Sequence, residues 1–399
     1  MGPRAVTAIA GVLLILASAC GTDPRSPDEP RPVQGGGVPG SAREDVPGSA
    51  REDVPSALTN PADPAFPDPL IDLDHLVAGG PPPDGIPPID DPKFQPAGEV
   101  DWLAREEPLL SLTVAGETRG YPLQIMTWHE IVNDTVGGVA VAVTYCPLCN
   151  SGVAFERRVG ERLLDFGTSG MLYVDNLVMY DRQTETLWPQ LTGQASVGAL
   201  TGTQLEAIPM GVVGWDQFRT AHPDALVLTR DTGHQRDYGR NPYAGYDNPK
   251  GDLLLEPPDG RDPRLPVKAR VVGIRVGDDS VAIPRDRVAA EGLLTVTVGG
   301  RDLVVWHRPG QRSALDDDRI SDGQDIGTIG VFNPHLGDRA LSFIPSAAGF
   351  VDQQTGSTWS VLGQATAGPL QGRQLRLVTY LDTFWFAWVA FQPDTRLLN

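Results

Sequence analysis

The chain has 399 residues, 40% of them hydrophobic, and a formal net charge of -19. That length and apolar content are sufficient for a large hydrophobic core. The acidic balance argues against nucleic-acid binding and against broad contact with an anionic membrane surface, because both reward clustered lysine and arginine.

Residues 1–20 have the pattern of a bacterial export signal. Arg4 precedes the almost wholly apolar run 5–16, and the small residues of LASAC end at Cys20. A cysteine directly after such a cleavage site resembles the bacterial lipobox, whose cysteine is lipidated after cleavage. An ordinary signal peptide with a cysteine there by chance is the alternative, and the apolar run is short for a membrane span. We expect export and anchoring to the outer face of the cell membrane through a lipid on Cys20.

Residues 21–70 are rich in Pro, Gly, Ser, Asp and Glu, and they contain the tandem sequence VPGSAREDVPGSARED from Val38 to Asp53. Such a composition buries too little apolar surface to offset the entropy lost on ordering. We therefore predict a disordered tether over residues 21–70, with a mean reach on the order of 40 Å.

The rest of the chain repeats itself weakly, as residues 71–240 and 241–399. YDRQTETLWPQLTGQA from Tyr180 matches VDQQTGSTWSVLGQA from Val351, after a gap of one residue. VGGVAVAVTYCPLCNSG from Val136 likewise matches VGGRDLVVWHRPGQRSA from Val298. Matches that recur in the same order indicate a duplicated unit.

Short apolar runs bounded by Gly, Asp and Asn predict strands in both units. These runs are Leu110–Val114, Val139–Tyr145, Leu177–Tyr180 and Leu303–Trp306. Gly-Gly pairs at 137–138 and 299–300 suit hairpin turns, and the candidate helices are Leu123–Ile131 and Trp215–Ala221. We expect an α+β, mainly β protein of two tandem pseudo-symmetric repeats packed together, with few short helices.

Cys146 and Cys149, in the sequence CPLC, are the only cysteines besides Cys20. In an oxidising compartment such a pair is able to form a disulfide. The second repeat, however, has Arg308 and Gln311 at these positions, which indicates that the local backbone forms without a disulfide. Closing so small a loop also removes only about 2 kcal/mol of unfolded-state entropy. A chemical role, in redox exchange or metal binding, therefore explains the pair better than a structural disulfide does.

Three interpretations of the pair stay open. In dithiol–disulfide exchange, one cysteine attacks and the other resolves, and His129 is a candidate for tuning the thiolate pKa. In a metal site, copper or zinc is bound by Cys146 and Cys149 together with His129 or Met171. In the third interpretation, the pair is a structural disulfide of a non-catalytic surface scaffold. We expect exchange without a bound cofactor, with a redox partner protein or a small thiol as the partner.

The supporting residues also have structural interpretations. His129 is equally well explained as a buried histidine hydrogen-bonded to Asn133 or Asp134. Met171 is explained as core filling. Asp181 with Thr184 is explained as a turn-capping pair. The chain has no GxSxG elbow and no phosphate-binding glycine loop, and it lacks the βαβ pattern of a thioredoxin.

Six motifs in this order resemble the bacterial family called domain of unknown function 3179. They are DGIPPIDDPKFQPA, WHEIVND, VTYCPLCNSGVAFER, FGTSG, NLVMYDRQTETLWPQLTGQA and WDQFRTAHPDALVL, and the resemblance runs from about Asp84 to the C-terminus. It implies export or lipid anchoring. Some members of that family are selenoproteins with selenocysteine in the cysteine motif, and the resemblance implies that the corresponding position here is Cys146 or Cys149. A selenolate is a better nucleophile than a thiolate, so the resemblance favours redox exchange and leaves a soft-metal site open.

Overall fold

The computed structural model describes residues 51–257 and 260–399. The export signal, Cys20 and most of the predicted tether therefore lie outside the described residues. Among the residues that are described, no helix has the length and apolar content needed to cross a membrane.

The first half of the fold consists of short strands with two helices. The strands are β1 (Leu76–Ala78), β2 (Phe94–Pro96), β3 (Pro108–Val114), β4 (Glu117–Pro122), β5 (Ile131–Val136), β6 (Val139–Cys146), β7 (Ser151–Glu156), β8 (Arg158–Val159), β9 (Arg162–Leu163), β10 (Phe166–Tyr173), β11 (Asn176–Asp181), β12 (Leu187–Pro189), β13 (Ala207–Ile208), β14 (Met210–Gly214) and β15 (Leu226–Leu228). Helix α1 (Leu123–His129) follows β4, and α2 (Trp215–Ala221) follows β14.

The second half is built in the same way. Its strands are β16 (Arg270–Val276), β17 (Asp279–Pro284), β18 (Leu293–Val298), β19 (Arg301–Arg308), β20 (Thr328–Asn333), β21 (His335–Leu336), β22 (Arg339–Ala340), β23 (Phe343–Ser346), β24 (Gly349–Asp352), β25 (Thr358–Trp359), β26 (Ala365–Ala367), β27 (Arg376–Leu377), β28 (Leu381–Phe384) and β29 (Arg396–Leu397). Helix α3 (Arg285–Glu291) follows β17, and α4 (Trp385–Phe391) follows β28. Short 3-10 helices span Leu73–His75, Ala97–Glu99 and Ile320–Asp322.

The sheets of the two halves correspond one to one. The order β14-β3-β4-β15, with β2 added at the edge, corresponds to β28-β16-β17-β29, and β13-β7-β6-β5 corresponds to β27-β20-β19-β18. The order β10-β11-β12 corresponds to β23-β24-β25. In both halves one strand joins in parallel, β15 beside β4 and β29 beside β17. The α+β, mainly β prediction is confirmed. Duplication of one unit stays a prediction, and the shared strand order agrees with it.

The predicted Gly-Gly hairpin turns are confirmed in both halves. Gly137 and Gly138 have φ of 55° and 80°, and Gly299 and Gly300 have φ of 54° and 71°. Two successive positive φ values define the tight hairpin turn that glycine adopts without steric cost. A Cβ atom at residue 137 would lie 2.2 Å from the carbonyl oxygen of Val114, so no larger residue fits there.

A buried aspartate fixes an equivalent turn in each half. Asp181 accepts hydrogen bonds from the backbone N–H of Thr184 at 2.6 Å and from Nε1 of Trp188 at 3.0 Å. Asp352 accepts the same two bonds from the corresponding threonine and tryptophan at 2.6 Å and 2.9 Å. The turn-capping interpretation of Asp181 is therefore confirmed.

Residues 51–70, which the composition assigns to a disordered tether, lie against the first half instead. Ala57 is 0% exposed in an apolar cluster that includes Val178. The backbone N–H of Glu52 donates to the carbonyl oxygen of Gln183, and the N–H of Leu70 donates to that of Ser196. Composition understates this contact because a few apolar side chains and backbone hydrogen bonds are enough to dock a polar segment.

The two halves pack through strands near their centres. Strand β28 lies against β7, and β14 lies against β20. The main apolar cluster of the first half also takes in Phe384, Phe386 and Ala387 from the second. The two cysteines lie at this junction, so both halves form their surroundings.

Candidate functional site

The cysteine pair lies at the end of a central hairpin. Strand β6 ends at Cys146, which pairs with Ser151 at the start of β7, and the chain turns back between them. Both thiols are free, with Cys146 1% exposed and Cys149 0% exposed. The pair is therefore a buried dithiol.

Hydrogen bonds from the second half hold the cysteine loop. The carbonyl oxygen of Cys149 accepts bonds from the backbone N–H of Phe384 at 3.0 Å and from Oγ1 of Thr383 at 2.8 Å. Nδ2 of Asn150, whose φ is 51°, donates to the carbonyl oxygen of Asp382 at 3.2 Å. The shape of the loop is therefore supported without a disulfide.

The tip of the β10–β11 hairpin lies over both sulfur atoms. The carbonyl oxygen of Asp175 is 3.4 Å from Sγ of Cys149 and 3.8 Å from Sγ of Cys146. The backbone N–H of Leu177 donates to Cys146 Sγ at 3.4 Å, and Nδ2 of Asn176 donates to Cys149 Sγ at 3.4 Å. An acceptor favours the thiol and donors favour the thiolate, so the site has partners for both forms.

The tip of this hairpin has unusual backbone geometry. Val174 and Asp175 have φ of 50° and 55°. Positive φ at both central residues is typical of a two-residue hairpin turn, but it is strained for a β-branched valine. Strained residues of this kind cluster at functional sites.

A polar network fixes the amide of Asn176. Its Oδ1 accepts the backbone N–H of Leu191 at 3.2 Å, so its Nδ2 faces the sulfur. The same Nδ2 donates to Oε1 of Gln190 at 3.2 Å, and Oγ of Ser151 donates to that oxygen at 3.0 Å. The donor at Cys149 is therefore held in place by neighbours that are themselves bonded.

Burial raises the pKa of the Cys149 thiol well above its usual value. The hydrogen bond and charge of Cys146 raise this pKa further, whereas the bond from Asn176 lowers it. The protonated form of Cys149 is therefore favoured at neutral pH.

Other buried ionisable groups surround the pair. Burial raises the pKa of Asp175 to about 7 and lowers that of Lys268 to about 8. Nζ of Lys268 lies 3.4 Å from the ring centroid of Tyr246 and donates to the carbonyl oxygen of Tyr246 at 3.1 Å. Burial also raises the pKa of Tyr246. Perturbed groups gathered in this way mark a candidate functional site.

Glu130 is a second buried carboxyl group close to the pair. Burial raises its pKa to about 8, although a hydrogen bond from Tyr243 acts in the opposite direction. The charge of Cys146 in turn contributes to raising the pKa of Tyr243. Glu130, Tyr243 and Cys146 therefore lie near one another.

His129 has other partners than the sequence predicts. Its Nδ1 lies 2.7 Å from the carbonyl oxygen of Pro87, and its Nε2 lies 2.6 Å from the hydroxyl of Tyr238. Since a carbonyl only accepts, Nδ1 carries the hydrogen and Nε2 accepts from Tyr238. The predicted bonds to Asn133 or Asp134 are wrong, and neither ring nitrogen is left for a cysteine. Burial lowers the pKa of His129 to about 4.

Met171 lies in a different part of the first half. It pairs with Ala78 and Val178 and packs against the cluster around Ala57, whereas the cysteines belong to the main cluster. In the part of the chain that the structure describes, no three His, Cys, Asp or Glu side chains are arranged to hold a metal ion. The predicted ligands His129 and Met171 are thus not brought together with the thiols.

Asp175, Asn176 and Lys268 were not among the residues that the sequence singled out. Asp-Asn between two apolar runs is a turn signal, which could have indicated a hairpin but not what it covers. Lys268 is one of three lysines in the chain, and it follows a proline-rich segment without a motif. These residues reach the thiols only through tertiary packing.

Together, the fold and site define a mainly β protein of two corresponding halves with a buried dithiol where they meet. The chain belongs to the family described as "Protein of unknown function (DUF3179)", whose sequence model matches residues 83–395. Comparisons with curated proteins and with solved structures found no match.

Proposed function

We propose that the protein is an exported, lipid-anchored dithiol oxidoreductase that uses Cys146 and Cys149 in thiol–disulfide exchange. One observation carries the proposal: two adjacent free thiols share the carbonyl oxygen of Asp175, and each also receives its own N–H donor. Donors aimed at sulfur stabilise the thiolate that exchange requires. A structural disulfide requires no such donors.

In the proposed reaction, the Cys146 thiolate attacks one sulfur of a substrate disulfide. A bond forms between Cys146 Sγ and that sulfur, and the other substrate sulfur leaves as a thiolate. Cys149 then loses its proton and attacks Cys146 Sγ, which releases the second substrate thiolate. The pair ends as a disulfide and the substrate as two thiols, so two electrons have moved to the substrate. We assign the first attack to Cys146 because the backbone N–H of Leu177 donates to its sulfur, whereas burial raises the pKa of Cys149.

The burial of the pair favours a small disulfide or thiol as the immediate partner. Cys146 is 1% exposed, and the β10–β11 hairpin lies over it, so a folded protein cannot reach the sulfur without displacing this cover. A redox partner protein would need to insert an extended segment. The second half contributes by holding the loop through Thr383 and Phe384.

Copper binding stays a separate prediction. Two thiolates are able to bind one Cu(I) ion, but ligands other than His129 and Met171 would be needed to complete a larger coordination sphere. No specific contact in the described residues favours copper over exchange. Metal content is therefore measured beside the redox state.

The redox test is a thiol count by mass spectrometry on the purified protein across a glutathione series, with metal assayed in parallel. Interconversion between about -120 and about -270 mV, the range of known exchange catalysts, supports the proposal. A disulfide that stays locked far below this range contradicts it and supports a structural bond. Thiols that stay reduced with one bound copper or zinc also contradict it. The control is a Cys146→Ser/Cys149→Ser variant, which should fold, show no redox interconversion and bind no metal.

The anchoring part of the proposal rests on Cys20 and is tested separately. In membrane fractionation, the native chain is expected with the membranes and the Cys20→Ser variant in the soluble exported fraction. Equal distribution of the two proteins would refute the lipid anchor and leave the redox proposal intact.

A further inference from the structure

Asp175 has a buried carboxyl group that the exchange reaction, as written so far, does not use. The residue is 0% exposed, and its backbone carbonyl faces both thiols. Its Oδ2 accepts the backbone N–H of Leu254 at 3.0 Å, and the backbone N–H of Leu255 also lowers the pKa of this carboxyl group. Its Oδ1 is also buried but has no hydrogen-bond partner among the described residues. A buried oxygen without a partner is destabilising, so this one calls for an explanation.

Four ionisable side chains from other parts of the fold interact with this carboxyl group through their charges. Cys149 and Tyr246 interact with it electrostatically, as do Lys268 and Glu256. Lys268 favours the carboxylate, and Glu256 opposes it. The hydroxyl of Tyr246 is also buried without a partner in the described part of the chain. An unpaired carboxyl oxygen, an unpaired phenol and a protonated thiol therefore lie in one buried region.

The resolving step needs a proton acceptor in this region. Cys149 keeps its proton because of burial, so it cannot attack until a base removes that proton. Tyr246 is protonated at neutral pH, and Lys268 in its charged form has no free electron pair. Glu256 is bonded to Arg261 and lies largely in solvent. Glu130, the other buried carboxyl group near the pair, interacts with Tyr243 and is not among the groups that shift the pKa of Cys149. Asp175 does act on Cys149, and its Oδ1 is an acceptor without a partner among the described residues.

We propose that Asp175 accepts the proton of the Cys149 thiol when Cys149 attacks the mixed disulfide on Cys146. This inference rests on the proposed exchange function. The S–H bond of Cys149 breaks and an O–H bond forms on Asp175, while the two cysteine sulfurs join. The substrate sulfur leaves Cys146 with the electron pair and then takes up a proton from Asp175 or from water.

Stopped-flow kinetics with dithiodipyridine separates the two steps. The full chain carrying Cys20→Ser is used, so that only the pair reacts. Attack by Cys146 releases the first coloured thiopyridone, and closure by Cys149 releases the second. In Asp175→Asn, the amide still accepts from Leu254, so we expect the second phase to slow by at least about 10-fold while the first is little changed. An unchanged second phase overturns the role of Asp175.

Lys268→Met provides a test that does not alter Asp175. Because the charge of Lys268 favours the carboxylate, its removal is expected to move the pH midpoint of the second phase upward. Near-UV circular dichroism shows whether Asp175→Asn folds. If it does not, the midpoint shift in Lys268→Met tests the inference in its place, and an unmoved midpoint refutes it. If wild type and the variants all release thiopyridone in both phases at the same rates, the role of Asp175 is refuted and the exchange function stands. Wild type that releases none refutes the exchange function itself.

Discussion

Glu130 and Gly292 occupy the same left-handed backbone position at the C-terminal ends of the corresponding helices α1 and α3. Their φ and ψ are 60° and -33° for Glu130, and 72° and -27° for Gly292. Glycine adopts this conformation freely, whereas a residue with a Cβ atom is destabilised by about 1 kcal/mol or more. The second half shows that the turn itself needs no glutamate.

Backbone strain alone does not single out Glu130. Ala115, with φ of 49°, corresponds to Gly277 in the second half, and Glu185, with φ of 52°, corresponds to Gly356. What distinguishes Glu130 is its burial, which raises its pKa to about 8 beside Tyr243 and the cysteine pair. The combination of strain, burial and position supports a functional role.

The first prediction is that Glu130→Gln stabilises the protein at alkaline pH. The folded pKa of Glu130 is raised to about 8 from a usual value of 4.5, so the folded state binds the proton more tightly. Its contribution to stability is therefore complete below about pH 4.5 and is lost as the pH rises to about 8. The free energy of unfolding of the variant, relative to wild type, should rise by on the order of 4 kcal/mol across this window.

Urea unfolding at a series of pH values measures this difference. The matched control is Gly292→Ala, which adds left-handed strain at the corresponding position without an ionisable group, since a Cβ there meets nothing closer than 3.7 Å. That variant should lose about 1 kcal/mol at every pH. A Glu130→Gln difference that is equally constant with pH would contradict the raised pKa.

Much of the local structure could be predicted from the sequence, because it depends on neighbours in the chain. The helix Trp215–Ala221 and both Gly-Gly turns are where the pattern places them, and the cysteine pair stands out by its spacing alone. The surroundings of the pair could not be predicted. Asp175 lies 26 residues from Cys149, and Thr383 lies 234 residues away, and no periodicity encodes contacts of that kind.

His129 gives the second prediction, on stability in mild acid. Burial lowers its folded pKa from 6.5 to about 4, so the unfolded chain binds the proton more readily. Stability should therefore fall as the pH drops from about 6.5 to about 4, by on the order of 3 kcal/mol from this residue. In His129→Gln, which is expected to be less stable at pH 7 through lost packing, this part of the pH dependence should disappear.

The measurement for His129 compares urea unfolding of wild type and His129→Gln between these two pH values. Carboxylates titrate in both proteins, so the difference between the two curves isolates the histidine. Parallel curves would show that His129 is protonated in the folded state as easily as in the unfolded one.

The third prediction concerns the donor at Cys149. In the native protein, the Nδ2–H bond from Asn176 lowers the pKa of the Cys149 thiol. Asn176→Ala removes this bond. We expect the pH midpoint for reaction of Cys149 with methyl methanethiosulfonate, measured in a Cys146→Ser background, to move upward by about one unit. This change corresponds to one hydrogen bond of about 1.4 kcal/mol. Gln204→Ala is the control, because that amide donates to the carbonyl oxygens of Thr192 and Leu205 and to no sulfur in the described part of the chain. Equal midpoints with and without Asn176→Ala in the Cys146→Ser background would exclude Asn176 as a thiolate donor.

The fourth prediction is that the second half, rather than a disulfide, holds the cysteine loop. Thr383→Val keeps the shape of the side chain and removes the 2.8 Å bond from Oγ1 to the carbonyl oxygen of Cys149. Since the buried carbonyl keeps its bond from Phe384, the loss should be about 1 kcal/mol in free energy of unfolding. The loss should be the same in a Cys146→Ser/Cys149→Ser background, because the bond is to the backbone.

Urea unfolding of the four proteins, all under reducing conditions, completes this double-mutant cycle. Additive effects mean that the loop keeps its shape without the sulfurs. A Thr383→Val effect that vanishes in the serine background would mean that the thiols themselves position the loop against β28. Such a result would favour a structural role for the pair. A loop that depends on its cysteines for shape gives a reason for their presence other than a chemical reaction.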